Sequence, residues 1–288
     1  MTFLRLPQRL SCGVAALSLV VMLPAIARAS AILFSAAGAN PAAIQTTVDG
    51  YRATLGTLNP NVAGSFGSGR REINWDGVPD FLAAPNNLPA NFFNSNSPRG
   101  VVFSTPGTGF QVSATAASGV PIEFSNINPT YSNILDPFSP QRLFTALGSN
   151  ITDVNFFVPG TSTPATVSGF GAVFTDVDLS ATTILEFFTA TGVSLGSFNA
   201  PTANDGLSFL GVFFDAGERV GRVRITSGNA ALGPNDLAGI DVVAMDDFIY
   251  AEPTAAMAVP EPASLLTVGA SLIFFFVLKR VSSRPGNA

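Results

Sequence analysis

The sequence contains no histidine, and its single cysteine, Cys12, lies near the N-terminus. Without histidine a Ser-His-Asp triad cannot form. Without a second cysteine there is no internal disulfide and no zinc site built from Cys and His. The only lysine is Lys279, so residues 30–258 carry arginine as their one strongly basic residue type. The chemistry that remains for this span is that of carboxylates, hydroxyls and amides, for which calcium is the natural metal.

Negative charge dominates the central span. Residues 30–258 contain 8 Arg against 18 Asp and Glu, a net charge of 8 − 18 = −10. The whole-chain value of −5 hides this imbalance because the other basic residues lie close to the two ends. An acidic protein is repelled by phosphate backbones, so nucleic acid is not an expected partner.

The N-terminus has the three parts of a secretory signal peptide. Arg5 and Arg9 are followed by an apolar core, which ends in a small-x-small cleavage site at residues 27–29. We therefore expect signal peptidase to remove residues 1–29, which leaves Ser30 as the first residue of the mature chain. The alternative is an uncleaved N-terminal anchor.

The C-terminus combines a polar motif, an apolar run and a basic end. The run covers residues 263–278, close to the short limit for a spanning helix. We expect a transmembrane helix at about 263–278 with its basic end in the cytoplasm, where Lys and Arg accumulate. The alternative is a buried C-terminal element of a globular domain.

These two ends together resemble the PEP-CTERM class of exported bacterial proteins. The resembling residues are the signal peptide, the apolar run, and Val259-Pro260-Glu261-Pro262-Ala263-Ser264 with Lys279-Arg280. In that class the tail is a sorting signal handled by a membrane enzyme called exosortase, in bacteria that make exopolysaccharide. The resemblance implies a sorting motif at Pro260, Glu261 and Pro262 and a cytoplasmic stop at Lys279 and Arg280. It concerns the destination of the protein and not the activity of its body.

The body, residues 30–258, has the composition of a β protein. It is rich in Phe, Val, Thr, Gly and Asn and poor in Lys, Met and Glu. Short apolar or alternating segments separated by turn residues predict an antiparallel β-sandwich or jelly-roll-like domain. The predicted strands are residues 72–75, 101–104, 110–114, 143–146, 152–158, 167–175, 184–189, 193–198, 208–214, 220–226 and 242–250.

One helix is predicted before these strands. Asn40 suits its N-cap, Pro41 its first turn and Gly56 its end. Four apolar residues then fall on one face: Ile44, Val48, Tyr51 and Leu55. Residues 59–68 and 79–98 are rich in Gly, Ser, Asn or Pro and are predicted to be loops.

The only tryptophan lies between two polar residues, in Asn74-Trp75-Asp76. At the end of a strand, Trp75 can stack on a sugar while Asn74 and Asp76 bind hydroxyls, and Tyr131 and Tyr250 offer further flat faces. The alternative is a core tryptophan followed by a turn, since tryptophan is mostly buried.

Two pairs of carboxylates, together with Asp76, are candidate calcium ligands. Asp176 and Asp178 point to the same side of an extended chain. Asp246 and Asp247 lie in a segment that resembles the Asp-rich final strand of carbohydrate-binding modules with a structural calcium ion. A catalytic acid pair, a solvated turn for the first pair and a strand edge facing water for the second are the alternatives.

These patterns predict an exported, non-catalytic surface protein associated with extracellular polysaccharide or a biofilm matrix. Its expected partners are signal peptidase, an exosortase-type enzyme, the membrane and polysaccharide. Two other functions stay open. One is a carboxylate-based glycan-active enzyme on a jelly-roll fold, and the other is a structural matrix subunit without a ligand.

Overall fold

The computed structural model describes residues 30–233 and 237–256. The predicted signal peptide, sorting motif and transmembrane helix lie outside the described residues. Within them, no helix has both the length and the apolar composition that crossing a membrane requires. The structure is 40% strand and 12% helix, which confirms the prediction of a mostly β protein.

The described chain contains fourteen strands and two α-helices. They are β1 (Ala31–Gly38), α1 (Pro41–Leu55), β2 (Arg70–Ile73), α2 (Phe92–Ser95), β3 (Val101–Ser104), β4 (Gly109–Val112), β5 (Phe144–Leu147), β6 (Ile151–Phe156), β7 (Ala165–Thr166), β8 (Gly169–Val177), β9 (Ile184–Phe188), β10 (Ser194–Asn199), β11 (Ala203–Phe214), β12 (Arg222–Thr226), β13 (Ala244–Ala251) and β14 (Thr254–Ala255). The longest connection, residues 113–143, joins β4 to β5.

The strands form two antiparallel sheets and one short ladder. The large sheet has the order β1-β11-β8-β13-β5-β4, and β2 also pairs with β13. The small sheet has the order β10-β9-β12-β6-β3, and β14 pairs with β7. Each pairing is antiparallel, as predicted.

The two sheets pack face to face. Phe187 of the small sheet contacts Phe214 of the large sheet, with ring centroids 5.3 Å apart. Further along, Phe156 and Phe170 make a similar contact at 6.3 Å. Alternate residues of each strand therefore fill one shared core, as in a β-sandwich.

Helix α1 covers the outer face of the large sheet and confirms its prediction. The Asn40 side chain accepts a hydrogen bond from the amide of Ala43, and the four predicted apolar residues are buried. The Tyr51 hydroxyl donates to the carbonyl of Val212 at 3.1 Å. Glycines make room for the Tyr51 ring, because a Cβ at Gly171 or Gly211 would lie 2.9 or 3.0 Å from it.

The predicted strands all overlap with observed strands, and the prediction of a loop at residues 59–68 is confirmed. The second predicted loop, residues 79–98, contains a 3₁₀ turn and α2. Three strands were not predicted, namely β1, β7 and β14. Strand β1 has the sequence AILFSAAG, whose small residues have weak strand preference. Its conformation depends on pairing with β11 along all eight residues.

Candidate functional site

Three of the predicted calcium ligands converge on one segment, residues 138–142, which leads into β5. Asp76 Oδ1 accepts hydrogen bonds from the amides of Gln141 and Arg142 at 2.7 and 3.2 Å. Asp246 Oδ2 accepts from the amides of Phe138 and Ser139 at 2.6 and 3.0 Å. The Ser139 hydroxyl donates to Asp247 Oδ1 at 2.6 Å. These carboxylates therefore fix the backbone of the segment.

A β-bulge brings Asp246 and Asp247 together. Met245 pairs with Phe174 and Phe248 with Ala172, so β13 has one residue more than β8 between these positions. In a regular strand, consecutive side chains point to opposite faces. Here both carboxyls reach Ser139 Oγ, at 2.6 Å from Asp247 and 3.3 Å from Asp246.

Helix α1 contributes a cation to this network. Arg52 Nη2 lies 3.1 Å from Asp247 Oδ2 and 2.8 Å from Glu72 Oε2, and its Nε donates to Glu72 Oε1 at 3.1 Å. Sequence reasoning missed Arg52, Glu72 and Ser139. No local pattern links these residues to Asp247, since they lie on separate elements that only the fold brings together.

Burial controls the protonation of this pair. Burial raises the pKa of Asp246, and the charge of Asp247 raises it further. The hydrogen bonds from the amides of Ser139 and Phe138 lower this pKa but do not outweigh the two effects. Burial also raises the pKa of Asp247, although Ser139 and Arg52 favour its ionised form. The two residues are 0% and 2% exposed, so they do not form the strand edge facing water considered above. The same burial closes the pair to a polymeric substrate.

Trp75 occupies the core, which corrects the interpretation that it stacks on a sugar. Its exposed fraction is 1%, its ring stacks on Phe144 at 4.1 Å, and its Nε1 donates to the carbonyl of Asp246 at 2.9 Å. Tyr131 and Tyr250 are fully buried as well. Of the predicted glycan contacts, Asn74 is exposed and Asp76 is half-buried. The Asn74 side chain donates a hydrogen bond to Asp76 at 3.2 Å.

Asp176 and Asp178 lie together, apart from the first cluster. Asp176 has a left-handed backbone, with φ of 65°, and its Oδ1 accepts from the amide of Asp205 at 2.9 Å. Burial, followed by the charge and hydrogen bond of Asp178, raises the pKa of Asp176 to about 7, although the hydrogen bond from the Asp205 amide lowers it. Within residues 30–233 and 237–256, no group of three or more Asp, Glu, His or Cys is arranged to hold a metal ion. Calcium binding stays a prediction.

We expect Asp176→Asn to stabilise the protein at pH 8 and to have little effect at pH 4. Folding raises the pKa of Asp176, so its protonated carboxyl contributes fully to the stability of the fold below the pKa of the unfolded chain. That stability is lost as pH rises through the folded pKa of about 7. An asparagine at this position stays neutral, and its side-chain oxygen can still accept the hydrogen bond from the Asp205 amide. At pH 8 the melting temperature should rise by about 4 °C, the change that 1–2 kcal/mol produces. Exposed Asp215→Asn is the control, and an equal change at both pH values would contradict this explanation.

A second polar surface, not predicted from the sequence, covers the outer face of the small sheet. Its central row crosses all five strands in register and consists of Ser104, Asp153, Arg224, Glu186 and Ser197. We call this row and its neighbours Arg222, Asn155 and Phe188 the polar face. Residues between them on the same strands, such as Val154, Phe187 and Val223, are buried.

Asp153 organises the polar face. Arg224 binds it through two atoms, Nε at 2.9 Å and Nη2 at 2.8 Å, while Arg222 Nη1 approaches at 2.6 Å. Burial raises the pKa of Asp153, but the hydrogen bonds from Arg224 and Arg222 outweigh it and the pKa is lowered. Arg222 also lies over the Phe188 ring at 4.1 Å. The Arg224 side chain stays 39% exposed, so solvent and ligands reach it.

A groove of about 600 Å³ lies beside β14. Arg219 borders it and donates to the Thr166 carbonyl and the Thr254 hydroxyl. The described residues that line the groove include several threonines but no carboxylate and no aromatic residue. It therefore offers neither an acid pair nor a stacking platform.

The fold and these surfaces define the described body as an antiparallel β-sandwich with a structural acidic cluster and an exposed polar face. No family model, no curated protein and no solved structure matches the chain.

Proposed function

We propose that this chain is an exported surface protein, sorted to the cell envelope through its C-terminal segment, whose β-sandwich binds extracellular polysaccharide without cleaving it. The observation that carries the binding is the polar face. The sorting rests on the two ends of the sequence, which resemble those of PEP-CTERM proteins. Signal peptidase and an exosortase-type enzyme are the processing partners.

The chemistry of the polar face suits sugar hydroxyls, which both donate and accept hydrogen bonds. The central row alternates hydroxyl, carboxylate, guanidinium, carboxylate and hydroxyl groups, and it spans about 19 Å across four inter-strand gaps. The bidentate pair of Asp153 and Arg224 holds these donors and acceptors in place, which lowers the entropy cost of binding.

Charge favours a neutral polymer. On the polar face, Arg222 and Arg224 are balanced by Asp153 and Glu186, while residues 30–258 carry a net charge of −10. A polyanionic glycan would therefore be repelled by the body without gaining a cationic surface. Neutral polysaccharide is the class that we propose.

The enzyme alternative is less well supported. Glycoside hydrolysis needs two carboxyls about 5–9.5 Å apart on either side of an accessible bond. Asp246 and Asp247 are buried, and their oxygens accept hydrogen bonds from Ser139 and Arg52. Release of reducing sugar that is lost in Asp178→Asn would favour the enzyme. Absence of retention on any polysaccharide would favour the structural matrix subunit.

Arg224→Ala should weaken retention on a neutral polysaccharide about ten-fold, since a hydrogen bond to a charged group contributes about 1.5–3 kcal/mol. Affinity electrophoresis in gels containing soluble neutral glucans measures this retention. Arg70→Ala is the matched control, because Arg70 also pairs with a carboxylate, Glu72, but lies on the large sheet. Equal retention of the wild type and Arg224→Ala would remove the polar face as the binding surface.

Ser30 supports cleavage of the signal peptide after Ala29. The amide of Ser30 donates to Glu218 Oε1 at 3.1 Å. The other carboxylate oxygen, Oε2, is buried and accepts no hydrogen bond from any described residue. Cleavage would turn the Ser30 amide into an ammonium group with three donors and a charge opposite to that of Glu218. A carboxylate that is only half satisfied before processing would then gain an ion pair.

We expect the envelope form of the protein to begin at Ser30 and to have lost or transferred its tail. Replacing Pro260, Glu261 and Pro262 by alanine should leave the N-terminus at Ser30 but retain the tail, because membrane insertion depends on the apolar run. N-terminal sequencing and intact mass of both proteins distinguish the two ends. Identical C-terminal masses in the wild type and the variant would contradict a sorting role for the motif.

A further inference from the structure

In the described structure, the two sheets have five edge strands, namely β1, β2, β3, β4 and β10, and all except β1 are protected against pairing with another chain. On β2, Arg70 donates to the carbonyl of Thr57 and Asn59 donates to that of Arg70, both at 2.9 Å. Segment 84–88 covers the edge of β4, because Ala84 and Leu88 donate to β4 carbonyls at 2.8 Å. Strand β3 has four residues and donates from Phe103 to the carbonyl of Ala90 at 2.9 Å. Strand β10 contains a bulge between Ser194 and Gly196. Covering, shortness and bulges are the usual ways of blocking an edge.

Strand β1 has none of these protections. It has eight residues, pairs with β11 without a register shift, and contains neither a charge nor a proline. Within the described part of the chain, no strand pairs with its outer edge. Ile32 and Leu33 are 42% and 50% exposed and point to opposite faces of the sheet. A strand added beside β1 would satisfy its backbone groups and cover apolar surface on both faces.

We propose that β1 pairs edge to edge with β1 of a second copy, in an antiparallel arrangement, so that the large sheets of two copies become continuous. The occupant is a second copy because β1 is uncharged and can face itself without repulsion, although the body carries a net charge of −10. Pairing of identical strands about a two-fold axis closes the assembly at two subunits.

Side-chain size also allows this pairing. A two-fold axis perpendicular to the sheet keeps each residue on its own face, so opposite residues are separated by an even number of positions. In one such register Leu33 lies opposite Ala37 of the second copy, and Phe34 lies opposite Ala36. Large residues then face small ones, and Ser35 meets its own copy near the axis. Direct cross-strand neighbours have Cβ atoms about 4.5–5.5 Å apart.

Site-specific cross-linking tests the dimer on the full-length chain in a mild detergent, with Cys12→Ser as background. Ser35→Cys should give mainly cross-linked dimer with a short bis-maleimide. Ser197→Cys, an exposed serine on the bulged edge strand β10, is the matched control and should give at least ten-fold less. Association through the tail alone would raise both yields equally, and that outcome would overturn the proposal.

A lysine placed on the edge strand β1 provides a second test of the dimer. Leu33→Lys in the Ser35→Cys background should lower the dimer yield at least ten-fold with an unchanged melting temperature, because pairing would then place a charged side chain against Ala37 of the second copy and remove it from water. Ala37→Lys, at an exposed position on the same strand, serves if Leu33→Lys unfolds the protein. An unchanged yield in a folded lysine variant would overturn the proposal.

Discussion

Replacing Trp75 by alanine should lower the free energy of unfolding by about 3–5 kcal/mol, the cost of removing a large buried aromatic side chain. The ring is in contact with four others, those of Phe93, Phe103, Phe144 and Phe248. Its Nε1 hydrogen bond to the Asp246 carbonyl would be lost as well. That carbonyl belongs to the bulge that holds segment 138–142, so we expect the loop to loosen with the core.

Urea unfolding followed by circular dichroism measures the effect of Trp75→Ala. Phe81→Ala is the control, because Phe81 is 72% exposed and its truncation should change stability by less than about 0.5 kcal/mol. Trp75→Phe separates packing from the hydrogen bond and should cost less than Trp75→Ala. If Trp75→Ala kept full stability but lost retention on polysaccharide, the ring would be a ligand contact after all.

Glu252→Ala should be comparably destabilising, by about 3–5 kcal/mol, because it leaves a buried charge without its partner. Arg71 is 0% exposed, and its Nε and Nη2 bind Glu252 at 2.7 and 3.0 Å. Glu252 also accepts from the Asn59 side chain and the Phe66 amide, at 2.8 and 3.2 Å. The pair therefore holds the loop of residues 59–68 against the sandwich, and its loss should expose that loop to protease.

Two variants separate the buried charge from ordinary truncation. Asp49→Ala removes an exposed partner of Arg52, 3.4 Å away, and should change stability by less than about 0.5 kcal/mol. The double variant Arg71→Met with Glu252→Met should be more stable than Glu252→Ala, because neither charge is then left unpaired. A double variant as unstable as the single one would mean that packing, and not charge, dominates.

Local sequence patterns predicted most of the helices and strands, but they did not predict which strands lie side by side in the sheets. The cap at Asn40 and the spacing of the apolar residues fixed α1, and alternation identified the strands of the core. Strand β1 has no such pattern, since its small residues become a strand only when β11 lies beside them. It is nevertheless the strand with the open edge, so the segment proposed to form the dimer interface is the one with the weakest local signal.

The candidate site shows the same limit. Asp76, Asp246 and Asp247 were identified as notable, yet their shared target, segment 138–142, appears only once the fold is known. The bulge at β13 reverses the side that alternation would assign to one carboxylate. For the polar face, the alternation in RVRIT and ILEFF was visible, but the order that places β12 between β9 and β6 depends on tertiary pairing.

The chain enters and leaves the sandwich at one corner. Ser30 is bound by Glu218, and Thr254 is bound by the next residue, Arg219. Because the two ends of the body lie side by side, a membrane attached to either end would lie against the same side of the sandwich. Loss of one attachment would therefore leave the orientation of the body unchanged. Such a body also tolerates having its ends joined and new ends opened elsewhere. A circular permutant that links Ala256 to Ser30 through a short glycine-serine bridge should therefore retain the sandwich.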